Sequence, residues 1–313
     1  MRMHQPAGAR PVALIAVAFL ISLACGGGAT QSPSSTAQYP MTIKQADGST
    51  VTISHQPHRI VSLSPSATEM LFAIGAGKQV IAVDDQSNYP ASAPKTSLSG
   101  FQPNIEAIAG YTPDLVVAAD DTGSLVHGMQ ALSVPVLLET AARSLDDSYA
   151  QIKQLGAATG HSSAADTLVA QMRSEVASFV SSLSKPARRL RVYHELDNTY
   201  YSASSATFIG QVYKILGLDN IADAATNAAP DYPQLSAEFI VSANPDLIVL
   251  ADTKCCAQNL DTVAARPGWG VISAVKTRQV IPVDDDVASR WGPRFIDFMR
   301  VVAPHVQQLE KAA

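Results

Sequence analysis

The segments YTPDLVVAAD (111–120) and ANPDLIVLAD (243–252) carry one pattern twice, in which a Pro-Asp-Leu turn leads into an aliphatic run that ends in Ala-Asp. A glutamate stands eight residues before the Asp of each turn, Glu106 in the first copy and Glu238 in the second. Both glutamates lie in helix-like segments, so each copy predicts a helix, a turn and a buried strand. Chance is the alternative, because Pro-Asp-Leu is a common entry into a parallel strand. The shared offset favours two related lobes.

Short aliphatic runs, separated by helix-like stretches, continue on both sides of the two copies. Strands are predicted at 60–63, 80–83, 115–118, 134–138, 190–193, 247–250 and 280–283. Alternating strands and helices indicate α/β layers built on mostly parallel sheets. Before the first of these strands, apolar and polar residues alternate at 41–44 and 51–54 around Asp47-Gly48, which predicts a β-hairpin.

One segment between the two copies is long and helical in its spacing. Residues 163–183 contain neither Gly nor Pro, and apolar side chains recur there every three or four residues. At about 1.5 Å per residue, the segment predicts a rod of roughly 30 Å. The sequence therefore predicts an α/β protein with two Rossmann-like lobes, at 41–160 and 186–313, joined by one long rigid interlobe helix at 161–185.

The N-terminus has the pattern of an export signal. Two arginines precede an uncharged apolar run that ends at Ala24, and Cys25 follows, with three glycines after it. The run is too short to span a bilayer but suits the core of a signal peptide. The junction resembles a bacterial lipoprotein cleavage site, although Ser22 stands where that pattern prefers an aliphatic residue.

We therefore expect a signal peptide at 1–24 and a lipidated Cys25 that begins a flexible tether at 25–40. This places the protein outside the cytoplasm, lipid-anchored to the outer face of the cytoplasmic membrane. An ordinary secretory signal, with Cys25 incidental, is the alternative.

Composition and motifs exclude several classes of protein. The 313 residues hold 22 Lys+Arg against 27 Asp+Glu, a net charge of −5 with no basic block, which argues against nucleic-acid binding. No apolar run reaches the roughly 18 residues of a membrane span, so we expect membrane contact through the lipid anchor only. The sequence has no G-x-S-x-G elbow and no phosphate loop, and no catalytic residue is predicted.

Five segments, in this order, resemble the helical-backbone class (class III) of ABC-importer substrate-binding proteins. They are HRIVSLSPSATEMLFAIGAG (58–77), NIEAIAGYTPDLVVA (104–118), TFIGQVYKILGLDNIADA (207–224), YPQLSAEFIVSANPDLIVLA (232–251) and SRWGPR (289–294). The resemblance implies that a ligand binds in the cleft between the lobes. It also implies a monomer that delivers this ligand to an ABC permease dimer with its ATPase subunits.

Members of this class carry vitamin B12, ferric siderophores or haem, and the local motifs here are most similar to the vitamin B12-binding branch. The resemblance implies a ligand site formed by Tyr89, Phe101, Tyr201, Tyr232, Asp286 and Arg290. Aromatic faces and a few polar groups suit a large planar ligand. Cobalamin is the expected ligand; a ferric siderophore, whose negative charge Arg290 would face, and haem stay open. A secreted enzyme on a similar scaffold is the alternative from another class.

The resemblance also assigns one permease-docking glutamate to each lobe, Glu106 and Glu238. The alternative is that both are merely solvated helix residues. No resident cofactor or metal is expected, because the metal belongs to the chelate that is carried. The acidic run 284–286 is interpreted as a solvated loop rather than a metal site. Cys255 and Cys256 form either a vicinal disulfide or two free thiols, with a thiolate ligand for haem or metal as a further alternative.

Overall fold

The computed structural model describes residues 38–184, 188–225 and 230–311. The predicted signal peptide, Cys25 and nearly all of the predicted tether lie outside these residues. No helix in the described part is both long and apolar enough to cross a membrane. The described chain opens with the predicted hairpin, in which strands β1 (Met41–Lys44) and β2 (Thr50–Ile53) pair antiparallel.

The first lobe is a four-stranded parallel sheet with its helices. Its strands are β3 (Ile60–Leu63), β4 (Val80–Val83), β5 (Leu115–Ala118) and β6 (Val136–Leu138). Its helices are α1 (Pro65–Ala73), α2 (Ile105–Ala109), α3 (Leu125–Ala131) and α4 (Leu145–Thr159). The strands lie in the order β4-β3-β5-β6, and every pairing is parallel. The predicted strands are confirmed, although β6 begins at Val136 instead of Val134.

The second lobe repeats this topology. Its strands are β7 (Leu190–Glu195), β8 (Leu218–Asn220), β9 (Leu247–Leu250) and β10 (Val280–Pro282). After the linking helix α5 (Ser162–Ser182), its helices are α6 (Phe208–Ile215), α7 (Ala237–Ala243), α8 (Leu260–Ala264), α9 (Ser273–Lys276), α10 (Asp285–Ser289) and α11 (Phe295–Lys311). The parallel order β8-β7-β9-β10 matches β4-β3-β5-β6 strand for strand. Two related α/β lobes are therefore confirmed.

The Pro-Asp turns of the two copies make the same hydrogen bonds. The Asp114 carboxylate accepts from the backbone N–H of Arg59 at 2.9 Å, just before β3. The Asp246 carboxylate accepts from the backbone N–H of Arg191 at 2.8 Å, in β7. Each Asp N–H also donates to the carbonyl of the same arginine. The aspartate thus fixes the start of one strand against its neighbour in both lobes, which explains why this residue recurs.

Helix α5 is the predicted long helix, with 21 residues. Its predicted apolar face packs on a hydrophobic cluster that contains residues of both lobes, with Met172 buried. Sequence reasoning misses α4, which lies along α5, because Gly156 weakens the helical signal there. In the structure Gly156 is needed, since a Cβ at this position would overlap the side chain of Ala165 on α5. Salt bridges Lys153–Asp166 (2.8 Å) and Arg173–Asp146 (2.6 Å) join the two helices.

Candidate functional site

A cavity of about 630 Å³ lies where the carboxyl ends of the first-lobe strands meet the second lobe. First-lobe residues that line it end or follow the four strands: Leu63 to Ser66, Asp84, Gln86, Gly100, Phe101, Ala119, Asp120, Thr140 and Ala141. Second-lobe residues close it from α10 and the segment after it: Asp285, Asp286, Ser289, Arg290 and Trp291. The carboxyl ends of parallel strands are the usual place for ligands in open α/β sheets.

Two aromatic side chains face this cavity. Phe101 is 77% exposed, which is unusual for a phenylalanine, and Trp291 is partly buried with its indole N–H donated to Gln151 at 2.8 Å. Exposed aromatic faces beside an open cavity suit a flat, largely apolar ligand. Of the six sequence-predicted ligand residues, the cavity brings together three: Phe101, Asp286 and Arg290.

The three predicted tyrosines are exposed but do not line the cavity. The ring of Tyr89 lies beneath the guanidinium of Arg294, 4.0 Å from its centroid. Tyr201 pairs with Gln234 in an isolated antiparallel bridge, which places it near Tyr232 on the second lobe. Asp231, next to Tyr232, forms a 2.7 Å salt bridge across the lobes to Arg143. The tyrosines therefore lie on surfaces outside the cavity.

Arg290 is a buried connection between the lobes. Its guanidinium donates to Glu69 on α1 at 2.9 Å, to Asn88 at 3.0 Å and to the carbonyl of Gln86 at 2.7 Å, all in the first lobe. It also donates to Asp286, four residues earlier, at 2.6 Å. Because these bonds already use the positive charge of Arg290, that charge is not available to a bound anion. Arg290 instead positions the cavity wall.

Asp286 is held from three sides, which fixes the α10 wall of the cavity. It accepts from Arg290, from Asn88 at 2.9 Å and from the ammonium of Lys254 at 2.7 Å. Burial raises the pKa of Asp286, but the hydrogen bonds of Lys254 and Asn88 and the charge of Arg290 outweigh it and hold the pKa below its ordinary value. In the described part of the chain, no group of three or more His, Cys, Asp or Glu could hold a metal ion.

The neighbouring loop contains a disulfide between Cys255 and Cys256. Asp285 accepts from the backbone N–H groups of Thr253, Lys254 and Cys255 at 2.8 to 3.2 Å. Because Asp285 also lines the cavity, the disulfide loop and the cavity wall are parts of one hydrogen-bonded unit. Of the alternatives for the two cysteines, the structure shows the vicinal disulfide.

Two further acidic residues reach the cavity from strand ends, and sequence reasoning missed both. Asp120 follows β5, is exposed and accepts from Thr122. Asp84 follows β4, is only 4% exposed, and its Oδ1 has no hydrogen-bond partner among the described residues. Burial raises the pKa of Asp84 above its ordinary value, and Asp85 adds to this, while Ser87 and the charge of Arg290 act in the opposite direction.

A usable signal for these two residues, and for Trp291, was present in the sequence. Asp84 and Asp120 come directly after predicted buried strands, and the carboxyl ends of parallel strands meet at one edge of the sheet. Trp291 stands inside SRWGPR, directly after the predicted ligand residue Arg290. That the chain returns to the first lobe at 289–294 could not be predicted from local patterns.

The equivalent edge of the second-lobe sheet is filled by its own side chains. Glu195 ends β7, is fully buried, and forms a bidentate pair with Arg266, with bonds of 2.6 and 2.5 Å. The Arg266 guanidinium also lies 4.5 Å from the ring centroid of Trp269. Asp252 is buried beside them, and both its oxygens are without a hydrogen-bond partner in the described residues. Burial, reinforced by the charge of Glu195, raises the pKa of Asp252 to about 7.

Glu106 and Glu238 occupy equivalent positions on the two lobes. Each is the second residue of a short helix, α2 or α7, behind an N-cap side chain, Asn104 or Ser236, that accepts from the third residue. Both glutamates are exposed. In the part of the chain that the structure describes, neither side chain has an ion-pair or hydrogen-bond partner. The two carboxylates are therefore free to meet a second protein.

Residues 60–287 match the periplasmic binding protein family. The chain belongs to this family. It is 31% identical to an ABC transporter substrate-binding lipoprotein of Bacillus subtilis, YvrC, over 97% of this chain and 98% of the relative. It is 32% identical to a cobalamin-binding protein of Halobacterium salinarum, over 93% of this chain and 82% of the relative.

The fold agrees with that membership. The crystal structure of the periplasmic vitamin B12-binding protein BtuF of Vibrio cholerae superimposes with a TM-score of 0.66 at 23% identity, covering 82% of this chain and 98% of that one. This chain is thus a substrate-binding protein of an ABC transporter, a class of protein that works with a permease and an ATPase. The resemblance inferred from the sequence motifs is confirmed.

Proposed function

We propose that the chain captures cobalamin in this cavity between the lobes and delivers it to an ABC permease, with no chemical turnover. The observation that carries the proposal is the lining of the cavity, in which the aromatic faces of Phe101 and Trp291 accompany four aspartates and only one arginine. The 32% identity to a cobalamin-binding protein supports the same ligand.

The charge of the cavity favours cobalamin over the other ligands that the sequence motifs left open. Its aspartates are Asp84, Asp120, Asp285 and Asp286, and the charge of its one arginine is engaged by Glu69 and Asp286. Such a surface repels the propionates of haem and the carboxylates or catecholates of many ferric siderophores. Cobalamin carries neutral side-chain amides around its ring, which donate hydrogen bonds that aspartates can accept.

Delivery is assigned to the two exposed glutamates. Glu106 and Glu238 lie at matching positions of two topologically identical lobes, so a monomer presents a pseudo-symmetric pair of carboxylates. Arginines on the two halves of a permease dimer would pair with these carboxylates by opposite charge, which fixes the orientation of the docked protein and speeds its association.

The location follows from the same proposal. We infer that the protein works outside the cytoplasm and that a lipid on Cys25 anchors it to the membrane. Support comes from the apolar run that ends before Cys25 and from the similarity to a substrate-binding lipoprotein. The Cys25→Ser variant should leave the membrane fraction, and mass spectrometry of the wild-type N-terminus should find lipid; a wild-type N-terminus without lipid contradicts the anchor.

The ligand is tested by calorimetric titration of the purified protein with cyanocobalamin, haemin, a neutral ferric hydroxamate and an anionic ferric catecholate. We expect one tight site for cyanocobalamin and recovery of the ligand unchanged. Phe101→Ala should weaken this binding at least tenfold. Leu132→Ala, which removes another exposed apolar side chain away from the cavity, serves as the matched control and should not weaken it. Tighter binding of haemin or of either siderophore would contradict the proposal.

A further inference from the structure

We infer that Asp84 is the specificity-determining residue of the cavity, and that it accepts a hydrogen bond from a side-chain amide of the ligand while it rejects a carboxylate at that place. The inference rests on the proposed function. It concerns which chemical groups on the rim of the ligand the site admits.

Asp84 is fixed at a place where its carboxylate faces a bound ligand. It follows β4, and its backbone N–H donates to the carbonyl of Ser62 on β3 at 3.0 Å, which fixes it at the edge of the sheet. The side chain lines the cavity although the residue is only 4% exposed. Gly100 covers it closely, since a Cβ on Gly100 would lie 2.8 Å from Asp84 Oδ2.

The protein itself leaves one oxygen of this carboxylate unused. Asp84 Oδ1 is buried and has no hydrogen-bond partner in the described part of the chain. The nearest positive charge, Arg290, donates to Glu69, Asn88, Gln86 and Asp286 instead. Buried acceptors are nearly always paired, so an unpaired one at a ligand cavity indicates a donor that the ligand supplies.

The chemistry of the missing donor follows from the charge of the site. A primary amide provides N–H groups and adds no charge, and its NH2 group takes the place that one oxygen of a carboxylate would take. A ligand carboxylate at the same place would put two negative charges in contact in a poorly solvated position, which is strongly unfavourable. An aspartate here therefore separates amide-bearing rings from carboxylate-bearing rings of similar shape.

The test compares cyanocobalamin with its monocarboxylic acids, in each of which one side-chain amide has been hydrolysed. The wild type should bind at least one of these acids at least tenfold more weakly than cyanocobalamin. Asp84→Asn keeps the size of the side chain and removes its charge, so it should reduce that ratio to about threefold or less. Asp85→Asn makes the same change one residue further on, at an exposed position outside the cavity, and should keep the wild-type ratio.

The outcomes separate this inference from the proposed function. Tight cyanocobalamin binding with the same ratio in wild type and Asp84→Asn, or an equal loss of discrimination in Asp85→Asn, overturns the role of Asp84 alone. Absence of cyanocobalamin binding by the wild type overturns the proposed function, and this inference with it. Thermal unfolding of each variant confirms that it is folded; if Asp84→Asn does not fold, Asp84→Ser is measured against the same prediction.

Discussion

Asp120 and Asp252 end the two copies of the repeated segment, at the same edge of two sheets with the same topology, and their surroundings are opposite. Asp120 is exposed and borders a cavity of about 630 Å³. Asp252 is fully buried next to Glu195 and the charged end of Arg266. The sheet topology thus creates an acidic edge twice, and only one of these edges is open to a ligand.

The difference arises from what the later chain supplies to each edge. In the second lobe, Arg266 enters the edge, pairs with Glu195 and lies against the rings of Trp269 and Tyr200, whose centroids are 4.5 and 5.4 Å from its guanidinium. In the first lobe, the cationic segment that arrives, 290–294, binds Glu69 on α1 instead and forms one wall of the cavity without filling the strand ends. A duplicated framework therefore has one open strand edge and one closed strand edge, and a few long side chains make the difference.

The largest effect should come from breaking the closed edge. Arg266→Met keeps much of the side-chain volume but leaves Glu195 buried without its partner, and loss of one member of a buried pair costs about 3–5 kcal/mol. We expect chemical denaturation to show a loss of this size in the free energy of unfolding. A loss below about 1 kcal/mol would mean that Arg266 does not close this edge.

The next effect depends on pH and concerns Asp252. Its raised pKa, about 7, means that the folded state keeps the proton to higher pH than the unfolded chain does. The stability that this proton contributes is complete below about pH 4 and is lost as pH rises to about 7, by up to about 1.4 kcal/mol per pH unit.

Asp252→Asn removes this titration. The variant should therefore gain stability relative to wild type as pH rises from 4 to 7, and the difference should level off above pH 7. Unfolding curves at a series of pH values measure it. A difference that does not change with pH would show that Asp252 does not titrate in this range.

A third prediction concerns what the two lobes share. Replacing Glu106 and Glu238 together by alanine should leave cyanocobalamin affinity unchanged, because both lie outside the cavity. Uptake by cells should fall at least tenfold, since each lost charge pair at a docked interface can remove about 1.4 kcal/mol or more. Each single variant should show a smaller loss. Normal uptake by the double variant, or weakened ligand binding, would refute the docking assignment.

The smallest effect should come from Asp120→Asn, the first-lobe counterpart of Asp252→Asn. Asp120 is exposed, so the free energy of unfolding should change by no more than about 0.5 kcal/mol at any pH. Measuring Asp120→Asn beside Asp252→Asn compares the two copies of the repeated segment directly. A stability change as large and as pH-dependent as that of Asp252→Asn would remove the distinction between an open and a closed edge.

Sequence patterns predicted the framework because the framework is repetitive. Alternation of aliphatic runs and helices, the duplicated Pro-Asp turn and the uninterrupted segment 163–183 are local signals, and the structure contains the elements they predict. The matching positions of Glu106 and Glu238 were likewise readable from one shared offset.

The cavity was less predictable because it depends on contacts between distant segments. Arg290 is bonded to Glu69, 221 residues away in sequence, and Trp291 to Gln151, 140 residues away. No local pattern shows that 289–294 would return to the first lobe, or that Arg266 would fill the second-lobe edge. The motif resemblance supplied Phe101, Asp286 and Arg290, which line the cavity, but also three tyrosines that lie outside it.

The most direct test of the account locates the cobalt atom of bound cyanocobalamin in a crystal of the complex by its anomalous scattering. We expect one strong peak in the cavity between the lobes, with the corrin ring against Phe101 and Trp291, and the Glu195–Arg266 pair of the second lobe intact. A peak at the second-lobe edge, or a ligand held by the outer tyrosines with this cavity unfilled, would contradict the account.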